Sequence, residues 1–347
     1  MNFKRLVFAV LLSLALTFTL AGCQGGGKEV VHIYNWGEYI DESIFKEFEA
    51  QTGIKVVYQT YESNEVLYAK LKGGGANYDV IFPSDYMASR MISEGMLEKL
   101  NFDNMPNISK IDETYLNQAY DPDNEYTVPY MWGTVGIIYN PNMIEDEITS
   151  WGALFDEKYS GQILMFDNSR DAMGIALLYL GYSINTTDKA QLDEAYELLK
   201  SQSPLLQAYV MDQIFEKLEG GEAAIGPYYA GDYIVMLENN PDLLFCLPEE
   251  GSNVFIDCMC IPKGAKNKEN AEAFINFMCE TDIAIRNSIA TGYSTPSKEA
   301  YEALPEEIKN NPIIYPGKDV LERCETFTNL PQDILDYYDT LWINLKS

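Results

Sequence analysis

The 347-residue chain reads as an α/β protein of two lobes joined by crossing strands, with a cleft between them. Three observations predict this. Short β-branched and aromatic runs alternate with amphipathic helical stretches, the rhythm of a parallel sheet covered by helices. Two longer extended runs, residues 128–139 and 254–261, divide these α/β units into blocks and suit strands that cross twice between lobes, giving a hinge. Several strand ends are polar, and in open α/β sheets ligands sit beyond the carboxyl ends of strands.

The N-terminus sets the compartment. Lys4 and Arg5 precede an apolar run over 6–20, and Leu20-Ala21-Gly22-Cys23 follows, which reads as an export signal ending in small residues. The ending resembles the bacterial lipobox, implying that residues 1–22 are removed and Cys23 carries lipid. Residues 23–28, with three glycines, form a tether. No later segment is long and apolar enough to span a membrane.

The first strand, residues 30–34, breaks at Asn35 and Gly37, and the turn holds Trp36, Glu38 and Tyr39. Aromatic faces beside an anion suit a ligand both apolar and cationic; on these residues alone, packing of the two rings on the next helix, with Glu38 solvated, takes precedence. A helix over 41–51 stops at Gly53. A strand over 54–58 precedes a helix that Ser63 can cap, ended by Gly73-Gly74-Gly75, which lacks the Gly-Lys-Ser/Thr of a phosphate loop. The strand over 78–82 ends in Pro83-Ser84-Asp85-Tyr86, which either faces the Trp36 turn or merely caps the helix over 87–97.

Past a loop-rich stretch and the run over 128–139, a strand over 162–166 leads through Asn168 and Asp171 into a helix over 172–180. Helices over 188–200 and 211–219 follow, then a strand over 223–225 that ends in Gly226-Pro227-Tyr228-Tyr229-Ala230-Gly231-Asp232. After a strand over 243–247, the run over 254–261 carries one charge, Asp257, among apolar neighbours. A carboxylate there costs several kcal/mol unless a cation or donors meet it. Helices over 265–279 and 334–345 close the chain.

Charge narrows the function. With 53 Asp and Glu against 24 Lys and Arg, the net charge of −29 disfavours nucleic acid and anionic membranes and draws cations, although solubility alone can account for acidity. Beyond Cys23, five cysteines (246, 258, 260, 279, 324) form neither a disulfide framework nor a metal set, and read as buried thiols. The sole histidine, His32, lies in a strand, and no hydrolase, zinc-protease or cofactor motif occurs, so neither an enzyme nor a cofactor is expected.

Asn35-Trp36-Gly37-Glu38-Tyr39, Tyr61-Glu62-Ser63-Asn64-Glu65, Tyr68-Ala69-Lys70-Leu71, Pro83-Ser84-Asp85-Tyr86, Pro129-Tyr130-Met131-Trp132-Gly133, Asp257 before Ile261-Pro262, Ala265-Lys266-Asn267-Lys268-Glu269 and Thr291-Gly292-Tyr293-Ser294-Thr295-Pro296 occur in an order that resembles the spermidine/putrescine-binding proteins of bacterial polyamine ABC importers. The resemblance spans nearly all of the mature chain. It implies a type II periplasmic-binding-protein fold, with residues 29–132 plus 257–300 in one lobe and 133–256 plus 301–347 in the other. It further implies a monomer that binds a linear polyamine and delivers it to an ABC permease at the outer face of the membrane.

Carried over by position, the resemblance puts a ring sandwich on Trp36, Tyr39, Tyr86, Tyr229, Phe255 and Tyr293. The ammonium clamps fall on Glu38, Asp171 and Asp257, with Ser84 adding a hydroxyl and with Asp85 and Asn168 at the same strand ends. The chain departs from the family at Gly37, where a hydroxyl residue is frequent, at Tyr229 and Phe255, where tryptophan is frequent, and at Asn168, where a carboxylate is common. A glutamine contact near Thr326 and Phe327 is absent. A receptor for another small cationic or polar solute is the competing reading, and a sensory or adhesive role is a further one; an anionic solute would require Arg or Lys at these positions.

Overall fold

The computed structural model describes residues 29–75 and 77–347; the export signal, Cys23 and the tether lie outside the described residues. Among the described residues nine strands form one sheet: β1 (Val30–Trp36), β2 (Lys55–Tyr61), β3 (Val80–Ile81), β4 (Thr127–Tyr139), β5 (Ile163–Phe166), β6 (Leu206–Val210), β7 (Ile225–Tyr229), β8 (Leu244–Cys246) and β9 (Val254–Cys260). Their hydrogen-bonded order is β2-β1-β3-β9-β4-β7-β5-β6, with β8 also on β4. At one end β1 lies parallel to β2 and β3, and at the other β5 lies parallel to β6 and β7. Between them β9 and β4 run antiparallel.

All 13 residues of β4 are buried. Its first part pairs with β9, and residues 135–139 pair with β7, so one strand passes from one half of the sheet to the other. Pro129 sits inside this central strand, which its missing N–H would ordinarily forbid; the register shift between Pro129 and Met131 accommodates it.

Helices cover the sheet where the apolar period requires. Ile44 and Phe48 of the helix Ile44–Thr52 are buried, Phe48 meeting Phe274 edge-on at 5.2 Å. That helix ends at Gly53, whose φ of 76° and N–H bond to Glu49 O make a left-handed cap. Ser63 caps the helix Asn64–Lys72 by accepting from Val66 N at 3.2 Å, and Asn168 caps the helix Ser169–Tyr179 by accepting from Asp171 N at 2.9 Å.

β6 and one late helix show how elements escape the periodicity. β6 follows Pro204, is only half-buried, and forms the sheet edge, so it lacks a run of core residues. The helix Thr281–Thr291 buries Asn287, Ser288 and Thr291, giving it a polar inner face that hides its period. Among the described residues no helix is long and apolar enough to cross a membrane.

Candidate binding cleft

The two parallel groups lie on either side of the crossing strands β4 and β9, and α/β sheets open a crevice beyond the carboxyl ends of their strands. β1 delivers Trp36 and, just beyond it, Tyr39. β2 is followed by Glu62 and Glu65, and β3 by Ser84 and Tyr86. From the other half, β5 is followed by Asn168 and Asp171, β6 by Asp212, and β7 ends at Tyr229 before Asp232. These residues, with Phe255 and Asp257 of β9 and with Tyr293, line a cleft of about 700 Å3.

Ten of the twelve residues singled out from the sequence stand in this lining: Trp36, Tyr39, Ser84, Tyr86, Asn168, Asp171, Tyr229, Phe255, Asp257 and Tyr293. Glu38 and Asp85 stand outside it. Glu38 has a left-handed backbone, φ 45°, and an exposed side chain. Asp85 is buried but serves the backbone, accepting from Tyr86 N at 2.6 Å and Ile256 N at 3.0 Å, and burial pushes its carboxyl up to about 8.

Rings form the walls. Tyr39 and Tyr293 meet edge-on at 4.9 Å, Phe255 meets Tyr293 at 6.1 Å, and Tyr229 meets Phe255 at 5.5 Å. Each contact is T-shaped, the geometry that the ring quadrupole favours. Gly231 makes the wall feasible, because a Cβ there would lie 2.3 Å from the Tyr293 ring. Trp36 is fixed by its indole N–H, which donates to Phe82 O at 2.7 Å.

The carboxylates hold the charge. Asp257, only 4% exposed, accepts from the Tyr39 hydroxyl at 2.7 Å through Oδ2, while its buried Oδ1 has no partner among the described residues. Burial pushes its carboxyl up to about 6, against the pull of the Ser84 and Tyr39 hydroxyls. Asp171 accepts from Asn168 Nδ2 at 2.6 Å and from the Tyr229 hydroxyl at 3.1 Å, yet burial still raises it. Glu65 accepts from the Tyr86 hydroxyl at 3.1 Å and Asp212 from the Tyr228 hydroxyl at 3.1 Å; both are raised, chiefly by burial. Asp232 is raised well above the ordinary range by burial, with Asp212, Glu38 and Asp257 adding to it.

Among the described residues six acids, Glu62, Glu65, Asp171, Asp212, Asp232 and Asp257, therefore line the cleft, and no Lys, Arg or His does. Four of them, Glu62, Glu65, Asp212 and Asp232, are absent from the sequence-derived set. Glu62 and Glu65 follow β2 within a motif already noted, and position after a strand end was their signal. Asp212 had none, because β6 itself was illegible. Asn253, another lining residue, also carries a buried Oδ1 without a partner. Unmet buried acceptors among rings suit a cationic, hydrogen-bond-donating ligand. No group of side chains among the described residues could hold a metal ion.

Known proteins share this architecture. The family model for bacterial extracellular solute-binding proteins matches residues 43–316. A spermidine/putrescine-binding periplasmic protein of Salmonella typhimurium is 35% identical over 336 residues, covering 96% of either chain. The spermidine/putrescine ABC transporter substrate-binding protein PotD from Streptococcus pneumoniae superposes with a TM-score of 0.78 at 38% identity, over 92% of this chain and 98% of that one. The Tp0655 (TpPotD) lipoprotein of Treponema pallidum does so with a TM-score of 0.82 at 31% identity, over 91% and 99%. With its two lobes, its crossing strands and a match over most of its length, the chain belongs to the bacterial extracellular solute-binding protein family.

Proposed function

We propose that this protein binds a linear polyamine, spermidine or putrescine, outside the cytoplasm and delivers it to an ABC import permease. The observation that carries this reading is the lining of the cleft: six acids, no cationic side chain, and a run of rings between them. Acids meet the ammonium groups, and rings cover the methylene chain and add cation–π attraction. Asp171 and Asp257 act as clamps, with Glu65, Asp212 and Asp232 as further anions. The sandwich is Trp36, Tyr39, Tyr86, Tyr229, Phe255 and Tyr293.

Magnitudes agree with capture. Each charge-assisted hydrogen bond contributes about 1.5–3 kcal/mol, and each buried methylene about 0.8 kcal/mol. Two or three clamps and four to seven methylenes give roughly 6–15 kcal/mol gross. Subtracting an association cost of at least about 4 kcal/mol leaves up to about 11 kcal/mol, a range that includes micromolar affinity.

The lobes are residues 29–132 plus 257–300 and 133–256 plus 301–347, hinged on β4 and β9. Lipid on Cys23 anchors a monomer to the membrane, a reading that the Treponema pallidum relative, described as a lipoprotein, supports. The protein performs no chemistry on its ligand. Calorimetry with putrescine, spermidine and glutamate side by side tests the assignment: heat with either polyamine and none with glutamate supports it, and the reverse pattern sinks it.

A further inference from the structure

Arg170 is the second residue of the helix Ser169–Tyr179 and the neighbour of Asp171, but it is missing from the cleft lining. It is 3% exposed. Its Cζ lies 4.5 Å from the Phe327 ring centre, 5.2 Å from that of Tyr86 and 5.4 Å from that of Tyr338. Phe327 and Tyr86 line the cleft, so their rings stand between the guanidinium and the ligand space. Nη2 donates to Thr328 O at 3.4 Å, while Nε and Nη1 are buried without a partner among the described residues. Among the described residues Arg170 joins no ion pair.

A buried cation with so few hydrogen bonds is costly unless nearby charge offsets it. Rings supply part of the compensation. Glu65 and Asp171 are the acids nearest to supplying the rest, and the guanidinium's field acts downward on both carboxyls against their burial. The other groups facing this cluster are the Tyr86 and Tyr229 hydroxyls, the Asn168 amide and, from β9, Asp257. Arg90 and Asp339 share the side cavity behind Tyr86, and Arg90 is bound to Glu94.

We infer that Arg170 is a positioning residue, an internal cation screened from the ligand by Phe327 and Tyr86 that keeps Asp171 and Glu65 ionised and ready for an ammonium group. The inference rests on the polyamine reading. Arg170 acts in two opposing ways. It keeps the acids charged, which strengthens binding where they would otherwise take up a proton. It also repels the ligand, weakly and at every pH.

Neutralising Arg170 therefore gives a crossover. In Arg170→Gln the acidic limb of the spermidine affinity profile moves to higher pH, since a nearby opposite charge favours the ionised carboxyl. Affinity falls about tenfold on that limb and returns to the wild-type level or above it in alkali. Arg170→Lys keeps the limb near its wild-type position. A loss uniform across pH, or no loss, overturns the inference.

Should Arg170→Gln fail to fold, carboxyl-carbon NMR of the wild-type protein decides, with the Asp171 signal assigned through Asp171→Asn. Titration below neutrality supports the role, and a protonated Asp171 at pH 7.5 overturns it. Wild-type protein that binds no polyamine at any pH would instead overturn the functional reading.

Discussion

Replacing Asp257 by Asn separates the residue's role in binding from its effect on the fold. The amide preserves shape and an oxygen for the Tyr39 hydroxyl, which lies 2.7 Å from the native carboxylate, but removes the charge offered by the unpartnered Oδ1. Losing one charge-assisted bond of about 1.5–3 kcal/mol weakens spermidine or putrescine binding about 10–150-fold. Stability should respond differently. Burial raises this carboxyl from 3.8 to about 6, so the native state binds the proton more tightly than the unfolded chain. Its contribution is fully present below 3.8 and is lost as pH rises through about 6. At pH 7.5 the penalty is about 3 kcal/mol and at pH 4.5 about 1 kcal/mol. Asn carries no such term, so the stability of the variant relative to wild type rises by about 2 kcal/mol between these pH values, whatever constant the amide adds. Urea unfolding of the ligand-free proteins at both pH values, with calorimetry for affinity, checks both halves. Affinity within twofold of wild type, or a relative stability flat with pH, would refute the reasoning.

Other outcomes follow from the same geometry. Polyamine affinity of the wild-type protein falls as pH drops from 7 to 5, by about tenfold from Asp257 alone, because binding requires the ionised form of an acid near 6; calorimetry across pH measures it. Gly231→Ala drives a Cβ into the Tyr293 ring, so overpacking of about 1–3 kcal/mol and loss of polyamine binding are expected together in thermal melts with and without ligand. Ser63→Ala removes the cap of the helix bearing Glu65 and costs about 1 kcal/mol in urea unfolding. Added salt slows polyamine association in stopped-flow measurements, because screening weakens the pull of the acidic cleft.

How far the sequence revealed this site depended on which elements could be read from it. Core strands announced themselves through β-branched runs, and Asp257 through its isolation in one of them. From these came the crossing strands, whereas the set of rings came from the family resemblance. Asp85 and Asp171 look alike in sequence, each an acid at a helix start after a strand, yet the first turns to the backbone and the second to the cleft. Sequence pattern carries no information on that choice, which depends on where Ile256 N and Asn168 happen to lie. Glu38, expected as a clamp, stands outside the lining with an exposed side chain on a left-handed backbone, at the point where period arguments stop. Asp212 was lost with β6, an edge strand without a buried run, and nothing in the sequence marked Arg170, whose aromatic neighbours come from distant parts of the chain.

Charge at the ends of an alkyl chain is the feature this cleft is built to read, and a matched pair of ligands tests it most directly. Putrescine and 1,4-butanediol have the same carbon chain and differ in their ammonium and hydroxyl ends. Calorimetry at pH 7.5 should give micromolar binding of the diamine and none of the diol. Equal affinity for both, or binding of the diol alone, would contradict the account.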